Sequence, residues 1–320
     1  MIEWGYLTWP VITSFLAGVL LFPLFIRWQS LWGVGQKIKK EGPNLHLHKE
    51  NTPTMGGVVI IIAMLIGLLV SGGFNGRTQS LFLLLLLFFL TGFWDDFFKS
   101  FLRKPWGIKA RYKFFFQLLG GMAVLFWGSR FFSHQIVLPF SHGMVGLGPV
   151  SFFLYGLFVI VASTNAFNIV DGLDGLAGGC GVLSFSFFAF LSLRSGHTEF
   201  ASLSGAAVGA LLSFLWFNFW PARIFMGDSG SLLLGALMGI VSLISGHSLF
   251  LVFAGIVFVI DTLSVVLQVA SFKFFKRRIF LMSPLHHHFE LKGMKESQVT
   301  VRLWIVQLLG VLFAFWGMGG

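Results

Sequence analysis

Five of the six aspartates in this 320-residue chain lie in short polar stretches that interrupt apolar runs. The densest stretch is Asn165-Ala-Phe-Asn168-Ile-Val-Asp171-Gly-Leu-Asp174-Gly-Leu-Ala-Gly178-Gly179, with two carboxylates, two carboxamides and four glycines but no Lys or Arg. Asp171 and Asp174 are three apart, so on a helical turn they share a face. The glycine after each lets the backbone turn tightly and approach a ligand. Uncompensated acid beside a bilayer is costly, so a divalent metal or a basic loop from elsewhere is expected to neutralise it. The bland alternative is a helix corner with solvated aspartate caps.

Two further acidic sites favour the chemical reading. Phe93-Trp94-Asp95-Asp96-Phe97-Phe98-Lys99 puts adjacent carboxylates at the end of an apolar run. Such a pair raises the pKa of one member or recruits a cation. Lys99, three residues past Asp96, can hold a phosphate or neutralise the acids, and Arg103, Lys104, Lys109, Arg111 and Lys113 follow it. That much positive charge grips a phosphate or pyrophosphate. Asn218 precedes Phe225-Met226-Gly227-Asp228-Ser229-Gly230-Ser231, where Asp228 opens a helix as a cap or as an oxygen ligand. Mg²⁺ takes one or two carboxylates and completes its shell with water and substrate phosphates.

Three other features are weaker. Thr52-Pro53-Thr54-Met55-Gly56-Gly57 opens an apolar run, either as an anion-facing helix N-terminus or as simple capping. His286, His287 and His288 are consecutive and cannot all face one way on a helix, so no metal tripod is expected. Hydrogen bonding to substrate suits them better. Asp261 lies inside an apolar run as a proton-relay group or, preferentially, as a buried acid satisfied by Ser, Thr or Gln on a neighbouring helix.

These residues need elements that hold them together. The chain is 56% hydrophobic and 11% charged, and runs near the ~20 residues that span a bilayer recur throughout. An all-α, polytopic membrane protein is expected, as one transmembrane catalytic domain over 1–320. Ten spans are predicted at 7–26, 55–73, 80–94, 114–132, 150–164, 176–193, 201–217, 230–246, 249–270 and 298–318. The N-terminus lacks the basic region of a cleaved signal peptide, so the first run is expected to stay. Cys180, the single cysteine, excludes an intrachain disulfide and any CxxC site.

Loops 27–54, 95–113, 165–175, 218–229 and 271–297 hold 18 of the 22 Lys and Arg residues. The positive-inside rule puts these loops in the cytoplasm and both termini outside. Asp95, Asp96, Asp171, Asp174 and Asp228 then converge at the cytoplasmic edge, as one site would. The net charge of +10 suits anionic lipid and an anionic substrate. Nucleic acid is excluded as a partner, since the basic loops hug the membrane and form no binding domain.

In order and over about residues 37–298, these motifs together with Pro284-Leu-His-His-His-Phe-Glu-Leu-Lys-Gly293 resemble the phospho-N-acetylmuramoyl-pentapeptide transferase family, within the polyprenyl-phosphate sugar-1-phosphate transferases. The aspartate motifs mark the superfamily and the histidine segment marks the branch. The resemblance implies transfer from UDP-N-acetylmuramoyl-pentapeptide to undecaprenyl phosphate, with Mg²⁺, releasing UMP in the bacterial inner membrane; a homodimer is allowed. It implies Asp228 as metal ligand and Asp95, supported by Asp96, as base toward the lipid phosphate. Lys99 and Arg111 would hold phosphates. Asn168, Asp171 and Asp174 would contact the nucleotide or metal shell, Asn218 the nucleotide, and His286, His287 and His288 the substrate. The sequence departs from the family at Asn51, usually Gly, and at Asp261, usually Glu. Two alternatives stay open: a sibling using UDP-N-acetylglucosamine, and a cation-coupled transporter, which expects its acids near the bilayer midplane.

Overall fold

A computed structural model describes residues 4–32, 35, 49, 52–102, 106–141 and 143–318. Arg103, Lys104, His46, His48 and Asn51 lie outside the described residues. Every expected span is helical: α1 (Gly5–Leu31), α2 (Gly56–Val70), α3 (Gly76–Ser100), α4 (Ala110–Trp127), α5 (Pro149–Val170), α6 (Leu176–Arg194), α7 (Thr198–Asn218), α8 (Gly227–Ile244), α9 (Leu251–Ala254), α10 (Ile256–Phe275) and α12 (Glu296–Met318), with the short α11 (Leu285–Leu291) before the last. Among the described residues, eight helices are long and apolar enough to cross a membrane. The other two expected spans are α2, apolar but only 15 residues long, and α4, whose first turn carries Arg111 and Lys113. The expected 249–270 span divides at Gly255 into α9 and α10.

Local chemistry explains the helix starts. Asn75 accepts from Arg77 and Thr78 while the Thr78 hydroxyl accepts the Asn75 amide, a capping box that opens α3. Pro149 sits in the first turn of α5, where its missing N–H costs nothing. α6, α7 and α8 are 78%, 83% and 89% buried over their apolar windows, against 28% for α1 and 22% for α10. The first three therefore form the core, and the last two present their side chains outward. A two-stranded ribbon, β1 (Gln135–Val137) with β2 (Met144–Gly146), lies between α4 and α5. It is tied to the ends of α8 and α12, because Val137 donates to the carbonyl of Gly246 and Phe140 to that of Gly317. The start of α1 is at that same end of the bundle, its Tyr6 carbonyl accepting from Ser202 near the start of α7.

Close backbone approach at the other end brings the acids together. A Cβ on Gly92 of α3 would lie 2.1 Å from the Asp228 carbonyl oxygen, and one on Gly57 of α2 would lie 2.1 Å from the Gly230 nitrogen. Backbone cannot yield to such contacts, so α2 and α3 meet the first turn of α8 only through glycine. The amides of Gly56 and Gly57 donate to the carbonyls of Phe225 and Met226 at 2.9 and 3.0 Å. The Thr52–Gly57 motif is therefore a docking joint rather than an anion-facing N-terminus, because its leading amides are already used.

Candidate active site

Helix α3 continues past the expected edge at 94 to Ser100, so Asp95, Asp96 and Lys99 stand on its last turns. The two adjacent acids point differently and take different work. Asp96 accepts the backbone amides of Asp228 at 3.0 Å and Ser229 at 2.9 Å, which caps α8 with a carboxylate where the helix dipole is positive. Asp95, fully buried, accepts the Ile108 amide at 2.6 Å and ion-pairs with Lys99 at 2.5 Å and Lys113 at 2.8 Å. Gly107, at φ +51°, lets the 106–109 loop cross this acid, since a Cβ there would lie 2.4 Å from Asp95 Oδ1.

Lys113 also ion-pairs with Asp228 Oδ2, and Lys99 lies 3.9 Å from Asp228 Oδ1. Asn168, on the last turn of α5, donates to Asp228 Oδ1 at 3.2 Å and to Ser231 at 2.8 Å. Asp95, Asp96 and Asp228 each offer an oxygen within 4.8 Å of the others. Three formal carboxylates against two ammonium groups leave one negative charge over. The donors are all oxygen, and the Asp228 side chain keeps 15% of its surface exposed. That combination suits a hard divalent cation that also takes water and phosphate oxygens.

Lys113, which the sequence offers only as one of the run of cations after Lys99, is the one that reaches Asp95 and Asp228. Positions 113, 117, 120 and 124 recur at helical spacing, and Gln117, Gly120 and Val124 form the buried face of α4. Lys113 opens that stripe. Arg111, two residues earlier, turns away and is exposed, its guanidinium 4.8 Å from the ring of Tyr112.

The Asp171–Asp174 stretch does not continue as a helix. Asp171 is the C-cap of α5, and Gly175, at φ +77°, precedes α6. The two acids therefore diverge instead of sharing a face. The Gly227 backbone hydrogen-bonds to Asp171, but burial, followed by the Asp228, Asp96 and Asp174 charges, pushes its carboxyl well above the usual range. Asp174 is bound within the protein: Lys49 ion-pairs with it at 2.6 Å and with Glu296 at 2.5 Å, and the Ala222 amide donates to it at 2.9 Å. Asn218, equally buried, accepts from Gly175 and donates to the Ile224 carbonyl.

The histidines face three partners. His286 meets Asp261, His287 meets Glu290 at 2.7 Å, and His288 accepts the Leu281 amide at 3.1 Å. Asp261 is a satisfied buried acid, as preferred, but its partner is His286 rather than a Ser, Thr or Gln side chain. An open cleft of about 270 Å³, lined by Phe98, Gly107, Ile108, Lys109 and Tyr112, adjoins the loop over Asp95.

The chain resembles known proteins over nearly its full length. Residues 78–246 match the model of glycosyl transferase family 4, and residues 49–61 match signature 1 of the phospho-N-acetylmuramoyl-pentapeptide transferases. The chain is 42% identical over 315 residues to the phospho-N-acetylmuramoyl-pentapeptide-transferase of Geobacillus kaustophilus, covering 95% of this chain and 94% of that one. It is 40% identical over 317 residues to the Bacillus velezensis protein of the same name, covering 96% and 97%. Identity to the Thermoanaerobacter pseudethanolicus protein of that name is 37% over 308 residues, again covering 96% and 97%.

Proposed function

The chain belongs to the phospho-N-acetylmuramoyl-pentapeptide transferase family, and from that premise we propose that it moves phospho-N-acetylmuramoyl-pentapeptide from its UDP carrier to undecaprenyl phosphate at the cytoplasmic face of the bacterial inner membrane. It is a multi-pass membrane enzyme, a phosphoglycosyl transferase of peptidoglycan synthesis. The observation that carries the mechanism is the meeting of Asp95, Asp96 and Asp228 from two helices, Asp96 and Asp228 being 132 residues apart, with Lys99 and Lys113 between them. The matching signature and the relatives' names favour the muramoyl-pentapeptide donor over UDP-N-acetylglucosamine.

In the reaction, an oxygen of the lipid phosphate attacks the sugar-bearing phosphorus of the donor. A P–O bond forms, the P–O bond to UMP breaks, and UMP leaves with the electron pair. Both partners are anions, so catalysis consists mainly of positioning and charge neutralisation. Asp228 would hold Mg²⁺ with Asn168 and Asp171 beside it, and the ion when bound would neutralise pyrophosphate charge. Lys113 and Lys99, released from Asp228 alone, would turn to the phosphates. Asp95 acts by keeping its hold on these lysines. Its oxygens already serve the Ile108 amide and two ammonium groups, and both Asp96 oxygens serve α8. This supports direct displacement over a phospho-aspartate. A lipid phosphate whose second pKa is ~6 has little proton to surrender near pH 7, so a base is barely needed. The apolar cleft of Phe98, Ile108 and Tyr112 suits the first isoprene units. His287 and His288, half-buried, face substrate.

In detergent, UMP release should require Mg²⁺, polyprenyl phosphate and UDP-N-acetylmuramoyl-pentapeptide together. Release without the lipid, or equal release from UDP-N-acetylglucosamine, would contradict the assignment.

A further inference from the structure

Asp261 and His286 are both fully buried, on α10 and α11. The two Asp261 oxygens meet two donors of one residue: the His286 backbone amide at 3.2 Å and the His286 ring Nδ1 at 2.6 Å. In the neutral ring whose Nδ1–H donates to the carboxylate, Nε2 presents its lone pair. That atom is buried and has no hydrogen-bond partner among the described residues. It points at Gly172, where a Cβ would lie 2.5 Å from Nε2 and 3.1 Å from Cε1. A ring edge therefore rests on the backbone that immediately follows Asp171.

We infer that Asp261 is a positioning residue of the transferase, acting through the His286 ring on the Asp171–Gly172 turn. This rests on the transferase reading above. A buried polar atom left unpaired costs about 1–3 kcal/mol, which a mere packing residue would not incur. The carboxylate removes the ring's freedom to rotate or to exchange its proton between nitrogens, as acids beside functional imidazoles do. The ring then serves as a stop that sets how far Asp171 stands from Asp228. Only glycine at 172 leaves space for it.

Asp261→Asn tests this, because a carboxamide supplies one acceptor where the two donors of His286 need two. The ring must then accept at Nδ1 and carry its proton on Nε2, against Gly172. The expected result is a fall in kcat of about 100-fold, the usual scale for a displacement near 1 Å. The KM for polyprenyl phosphate and the melting temperature should stay near wild type, and Asp261→Glu should restore most of the rate. The ¹⁵N shifts of His286, identified by their loss in His286→Asn, should report the exchanged ring proton in substrate-free protein. Gly172→Ala should be harmful alone and add little in a His286→Asn background, since the two act through one contact. Wild-type kcat in Asp261→Asn would overturn the inference. So would loss of folded protein in both Asp261 variants, or Gly172 and His286 effects that simply multiply. Inactivity of the wild-type protein would instead overturn the transferase reading.

Discussion

The carboxylate of Asp96 accepts the backbone amide of Asp228 at 3.0 Å, so one aspartate positions the other. Adjacent acids in sequence thus divide their labour: Asp95 organises cations while Asp96 fixes the helix that presents Asp228. Asp96→Asn should lose one of its two acceptors and cost about 1 kcal/mol of stability, the scale of a helix cap. Asp228→Asn should keep the wild-type melting temperature within a few degrees yet abolish turnover and Mn²⁺ binding followed by EPR. Equal loss of stability in both variants would contradict this division.

Lys113 and Arg111 are expected to differ sharply. Removing Lys113 leaves buried Asp95 without one of its ammonium partners, and breaking a buried ion pair costs ~3–5 kcal/mol. The cost here should be nearer 2 kcal/mol, because the Lys113 side chain is 20% exposed and Lys99 remains. Lys113→Met should lower kcat by at least two orders of magnitude, on the scale of lost electrostatic stabilisation. Arg111→Ala should change it only a few-fold. Steady-state kinetics with both variants at matched Mg²⁺ decides the matter.

Asp171 carries a signed pH dependence. Its carboxyl is raised well above the usual range by burial and by the Asp228, Asp96 and Asp174 charges. The folded state therefore binds a proton that the unfolded chain releases near pH ~4. Stability from this group is complete below that pH and is lost as pH rises through the raised value. In EDTA, Asp171→Asn should melt higher than wild type at neutral pH, and its melting temperature should fall less between pH 4 and 8, while turnover drops. A lower melting temperature at pH 7.5 would refute the assignment.

Lys49 should matter for folding rather than for chemistry. It joins the buried carboxylates of Asp174 and Glu296, so Lys49→Met should destabilise by about 3–5 kcal/mol. Lys49→Met combined with Glu296→Gln should recover part of that loss. Thermal melting of the single and double variants measures the coupling.

The sequence alone determined the helical membrane architecture, the order of the spans and the gathering of the acids at one end. Each rests on local properties: apolar length, Pro and Gly punctuation, and the alternation that returns every second helix end to the same side. It also drew attention to Asp95, Asp96 and Asp228, carboxylates beside apolar runs that the packed helices bring within 4.8 Å of one another. Tertiary structure decided what each polar group does. Lys113 enters the site and Arg111 leaves it because α4 turns one face toward its neighbours, although the 113–117–120–124 spacing carries a trace of that choice. Asp174 is bound by Lys49 and Glu296, 125 and 122 residues away, and Asp261 by a histidine 25 residues on. Hydropathy is summed along a chain, but a buried charge selects whichever partner the packed helices bring within about 3 Å. That selection is made in three dimensions, after the helices have met.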